Sequence, residues 1–90
     1  MPRYLVERAF HAGWDAGDEL EDFCRQILER NHGSDVTWLH SYVSDDGRQA
    51  FCVYDAPSPE AIRKSAQRND LPVDSITCIR VLDPHQYFPT

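Results

Sequence analysis

The chain has 90 residues, enough for one domain over 1–90, whose core holds a fold together with a thin margin at this size. Fifteen acidic residues against nine Lys and Arg leave a net charge of −6, which argues against nucleic acid and anionic membranes as partners, because phosphate binding needs clustered basic residues. Three cysteines, far apart and without a CxxC, fit reduced thiols and not a disulfide framework.

No apolar run approaches the roughly 20 residues of a membrane span. Met1-Pro2-Arg3 has no signal-peptide character, so the expected location is the cytoplasm.

The first element is an alternating strand over 3–10. Val6 is assigned to the helix-covered core and Glu7 to the opposite face, since a carboxylate at the centre of a buried face is costly. A loop with two glycines follows over 11–17. Asp18 then opens a helix, with Glu21 three residues on as an acidic form of the capping box. Leu20, Phe23, Cys24 and Ile27 form its apolar stripe, in which Cys24 reads as a small core residue. Asn31-His32-Gly33 ends the helix.

Residues 36–55 read as a hairpin. Asp45-Asp46-Gly47 suits a three-residue loop with glycine in the left-handed position. That loop sets Ser44 opposite Arg48, Tyr42 opposite Ala50, His40 opposite Cys52 and Trp38 opposite Tyr54. Leu39, Val43, Phe51 and Val53 then form one apolar side. Trp38, His40, Tyr42, Cys52 and Tyr54 form the other.

In the second helix Ser58 caps, Pro59 takes the first turn and Glu60 favours the positive end. Ile62 and Ala66 give a slim apolar stripe, and Asn69 with Leu71-Pro72 stops the helix. The last strand is expected over 75–83, ended by Pro84, and 85–90 form a short tail. The order βαββαβ closes naturally as a ferredoxin-like split βαβ domain of the α+β class. Its four-stranded antiparallel sheet carries both helices on one face and leaves the other bare.

The expected bare face collects Glu7, Trp38, His40, Tyr42, Cys52, Tyr54, Cys78 and Arg80. An imidazole, a thiolate and a carboxylate from His40, Cys52 and Glu7 in one patch suit a borderline divalent metal such as nickel, zinc or copper. Trp38, Tyr42 and Tyr54 would wall a small-molecule pocket beside them. Two other readings stay open. One is an enzyme of the dimeric α+β barrel kind, acting on a small organic substrate with His40 as general base. The other is a structural interface, in which a second copy covers an aromatic face that one small chain would not leave bare. A homodimer through the open face is expected in either case.

The strings YLVER, TWLHSYVS, FCVYDAPSPEAIR and LPVD followed by IRVLDP span nearly the whole chain. Together they resemble a family of small bacterial proteins of unassigned function. The resemblance implies a ferredoxin-like fold that dimerises. It also implies nickel as the ion, because one member is described as a nickel-binding protein serving sequestration.

Overall fold

The computed structural model describes residues 2–10 and 18–87; the loop expected over 11–17 and the end of the tail at 88–90 lie outside the described residues. The elements are β1 (Arg3–Ala9), α1 (Asp18–Asn31), β2 (Thr37–Val43), β3 (Gln49–Asp55), α2 (Pro59–Arg68), β4 (Ser75–Ile79) and a short α3 (Pro84–Tyr87). The four strands form one antiparallel sheet in the order β2-β3-β1-β4. This is the expected ferredoxin-like topology, with β1 and β3 central and the first hairpin strand at an edge. Among the described residues no helix is long and apolar enough to cross a membrane.

The second long helix follows from local chemistry. The Ser58 hydroxyl accepts the Ala61 N–H at 3.3 Å, and Pro59 occupies the first turn of α2, where a missing N–H costs nothing. Ile62 and Ala66 turn inward from α2, and Ile27 does so from α1. The two helices are tied by polar groups. The Ser65 hydroxyl donates to Asn31 Oδ1 at 2.8 Å across the helices, and at the end of α2 itself Asn69 Nδ2 donates to the Ser65 carbonyl at 2.9 Å.

The core lies between the helices and one face of the sheet. It comprises Tyr4, Val6, Val36, Ala50, Cys52, Tyr54, Ala56 and Ile62, with Phe10, Trp38, Val73 and Ile76 packed against it. Val6 is fully buried, as expected. The expected placement of Cys52, Tyr54 and Trp38 on the bare face is overturned. Val6 stands opposite Cys52 and Tyr4 opposite Tyr54 in the β1–β3 ladder, so these side chains share the helix-covered face. Cys78, opposite Tyr4, points to the same side but is exposed on the edge strand β4.

The hairpin turn also differs from expectation. The Ser44 N–H donates to the Gln49 carbonyl at 2.9 Å, so Asp45 to Arg48 form a four-residue loop. Asp46 is the cause: its carboxylate accepts the Ser44 hydroxyl at 2.7 Å and the Arg48 N–H at 3.0 Å, drawing Arg48 into the turn. These bonds, the one from Ser44 foremost, hold the Asp46 carboxyl below the usual carboxylate range. Gly47 has φ +71°, the left-handed conformation read from the sequence. The longer loop slips the pairing by one, setting Tyr42 opposite Phe51, Ser41 opposite Cys52 and His40 opposite Val53. An irregularity between Trp38 and His40 then absorbs Leu39 as a bulge and restores Trp38 opposite Tyr54.

β4 is shorter than expected. Ile79 pairs with Arg3, the first residue of β1. The residue before it is Pro2, which has no N–H to donate and whose carbonyl is taken by the Ala56 N–H at 3.1 Å. The ladder has nothing further to offer Arg80. Val81 and Leu82 therefore leave the sheet exposed, and Asp83 Oδ1 caps α3 by accepting the His85 N–H at 2.9 Å.

These placements rank the thiols. Cys52 is 2% exposed, while burial and then the nearby Cys52 push the half-buried Cys24 thiol up and reduce its thiolate. A thiol-reactive dye should label one cysteine rapidly in the native protein, and Cys78→Ser should remove that phase. Rapid labelling of Cys52 before unfolding would refute the face assignment.

Candidate functional site on the open sheet face

The face turned away from the helices carries Leu5 and Glu7 from β1, His40 and Tyr42 from β2, Phe51 and Val53 from β3, and Ser75, Thr77 and Ile79 from β4. It reads as rows across the strands. His40, Val53, Leu5 and Thr77 form one row, and Tyr42, Phe51, Glu7 and Ser75 form the next. The bulge at Leu39 is what turns His40 to this face while Trp38 turns to the other.

His40 and Tyr42 are successive residues on this side, both exposed. Their rings meet edge to face, with centroids 5.2 Å apart and planes at 86°. That contact orients the imidazole and leaves it open to solvent. Glu7 is held by the Ser75 hydroxyl, which donates to Glu7 Oε2. Glu7 lies in the Tyr42 row, two strands from β2, roughly 10 Å away at the usual strand spacing. At the margin Arg3 Nε donates to Asp55 Oδ1 at 2.9 Å, which holds the Asp55 carboxyl below its ordinary range.

The structure therefore separates the residues assigned to the site from sequence. His40 and Glu7 share the open face. Cys52 does not: it is buried on the opposite side, across from Ser41, whose hydroxyl accepts the Trp38 indole N–H at 2.8 Å. The aromatic wall divides in the same way, with Tyr42 on the open face and Trp38 and Tyr54 packed under the helices. Among the described residues no three His, Cys, Asp or Glu side chains of one chain gather closely enough to hold a metal ion. The enzyme reading loses its pocket by the same division, since the aromatic residues expected around His40 stand on both sides of the sheet.

Sequence reasoning missed Leu5, Phe51, Val53, Ser75, Thr77 and Ile79 as members of this face. The signal that would have found them was consistency across the sheet: once Glu7 is placed outside, its cross-strand neighbours Phe51 and Ser75 must be outside too.

A family model described as nickel responsive protein SCO4226-like matches residues 4–79. Among solved structures, the crystal structure of SCO4226 from Streptomyces coelicolor A3(2) superposes with a TM-score of 0.75. It is 15% identical and covers 90% of this chain and 99% of its own. No curated protein matches.

The Arg3–Asp55 pair makes an acid-stability prediction. A carboxyl whose pKa is lowered in the folded state contributes stability that is present above the ordinary carboxylate range and lost as pH falls through its lowered value. Asp55→Asn should remove that part of the acid limb in a denaturation series run from neutral to acidic pH, with a small effect because the pair is solvent-accessible. An unchanged acid limb would show that the pair contributes nothing.

Proposed function

The chain belongs to the nickel responsive SCO4226-like family, and from that premise we propose that it is a small cytoplasmic metal-ion-binding protein, with nickel as the ion and sequestration or homeostasis as its role. The observation that supports this is His40: an exposed imidazole, oriented by Tyr42, on a bare sheet face that also carries the Glu7 carboxylate. Imidazole and carboxylate are suitable ligands for a divalent ion of this kind, and the chain's negative charge favours a cation. Among the described residues, one chain offers too few ligands at His40. A homodimer through the open faces brings a second His40 and a second Glu7 to the same interface and covers Tyr42, which is 63% exposed.

Calorimetric titration with nickel, and with zinc for comparison, tests the reading. His40→Ala should lose most of the binding, while His32→Ala and His85→Ala should keep it. Affinity should fall on acidification, because a protonated imidazole cannot ligate. If His40→Ala binds as the wild type does and His85→Ala does not, the ion sits near the C-terminal tail and the open face is not the site.

Association is tested separately. The wild-type chain should sediment as a dimer at micromolar concentration, and Tyr42→Glu should shift it toward monomer with little loss of fold, since Tyr42 lies outside the core. A wild-type monomer under those conditions would overturn the dimer.

A further inference from the structure

The end of α2 shapes a cleft that the metal reading leaves unused. Asp70 follows the C-cap Asn69 and takes φ +54°, a left-handed conformation that aspartate tolerates better than most residues. Two backbone bonds close the turn. The Asp70 N–H donates to the Gln67 carbonyl at 3.2 Å, and the Leu71 N–H donates to the Ala66 carbonyl at 2.9 Å. This is the two-bond pattern of a Schellman end, and it folds Leu71 back along the helix. Three residues on, the Asp74 N–H donates to the Glu7 carbonyl at 2.8 Å and pins the returning chain to β1. Helix and returning chain border a cleft of about 480 Å³. That is within the roughly 300–1,000 Å³ that small-molecule sites occupy.

The lining is of two kinds. Ala66 is buried and Leu71 and Val73 are half-buried, and these three give an apolar wall. Val73 also packs on the core. The remaining lining is polar. Arg63 and Gln67 stand four residues apart on α2, a spacing that puts two side chains on one helix face. Asp74 comes from the returning chain. All three are exposed, and none of these side chains makes a hydrogen bond or ion pair with another described residue. Ser75 borders the cleft too, but its hydroxyl is engaged by Glu7 and adds no free polar group.

One cleft therefore carries a free guanidinium, a free carboxylate and an apolar wall. A ligand carboxylate suits Arg63, whose fork of N–H donors matches two oxygens. The Gln67 amide is a further donor on the same helix face. An ammonium suits Asp74, and a short apolar side chain suits Ala66, Leu71 and Val73. A dicarboxylate would set its second charge against Asp74, and a diamine would set one against Arg63. We propose that this cleft binds a small zwitterion with an apolar side chain, an α-amino acid by chemical class. The backbone bonds at Leu71 and Asp74 hold the returning chain in place, so little ordering is needed on binding. Neither His40 nor Glu7 lines the cleft, and the proposal does not rest on the metal reading.

The test follows the backbone amides of Ala66 and Val73 in the full chain labelled with 15N, at constant pH and ionic strength. The probes are L-leucine, glycine, isocaproate (leucine without its amine) and isoamylamine (leucine without its carboxylate). Leucine should give saturable shifts at these amides, and the other three should need several-fold higher concentrations. Arg63→Gln and Asp74→Asn should each weaken leucine binding several-fold and leave the fold intact, because both side chains are exposed and unpaired. A chain indifferent to leucine overturns the proposal. Leucine binding that is unchanged in either variant overturns it as well. Isocaproate or isoamylamine binding as tightly as leucine would refute the zwitterion, and glycine doing so would refute the apolar wall.

Discussion

The β1–β3 ladder is the constraint on which the rest of the molecule depends. It sets Val6 against Cys52 and Tyr4 against Tyr54 at the centre of the sheet. Because side chains alternate strictly along a strand, this one register decides which half of every strand meets the helices. That layer holds the small Ala50 and Cys52 together with Tyr54 and Ile62, and Arg8 is buried on the same side. The outer strands inherit the choice, β4 through Val6–Ile76 and β2 through Trp38–Tyr54.

Above the ladder, the helix layer joins through polar contacts as well as apolar ones. Asn31, Ser65 and Asn69 are all nearly buried and share hydrogen bonds, yet Asn31 Nδ2 and Asn69 Oδ1 are left without partners. Each of these two atoms carries its own desolvation cost. Such bonds are modest in net stability but fix relative position, because a slipped helix would strand further polar groups. A domain of this size depends on positional constraints of this kind, since its apolar core is small.

The open face has a different character. Its polar groups are engaged at the edges, by Arg3 with Asp55 and by Ser75 with Glu7, while His40 and Tyr42 stand exposed on the β2 side. The bulge at Leu39 is what permits this. Without it, a register fixed by the four-residue turn would carry His40 and Trp38 on the same side, and one of the two would be misplaced. The irregularity reconciles the turn demanded by Asp46 with the Trp38 anchor demanded by the core, and His40 is turned outward as a consequence.

Much of the architecture is legible in the sequence. The order of elements, the N-cap at Ser58, the left-handed Gly47 and the inward Val6 all rest on contacts within a few residues, and local patterning is sufficient for those. The open face was legible only in part. Glu7, His40 and Tyr42 read correctly as outward. Cys52, Trp38 and Tyr54 did not, because the apolar row Phe51 and Val53 looked like the core when β3 was read alone. Composition does not distinguish two apolar rows of one strand. The sequence by itself determined the four strands, the two long helices and the fold class, since those depend on periodicity and capping; it did not show the early end of β4 or the short α3. Which row of β3 faces the helices, and hence whether Cys52 can meet His40, was decided only when residues some 46 positions apart were paired across the sheet, as Val6 is with Cys52.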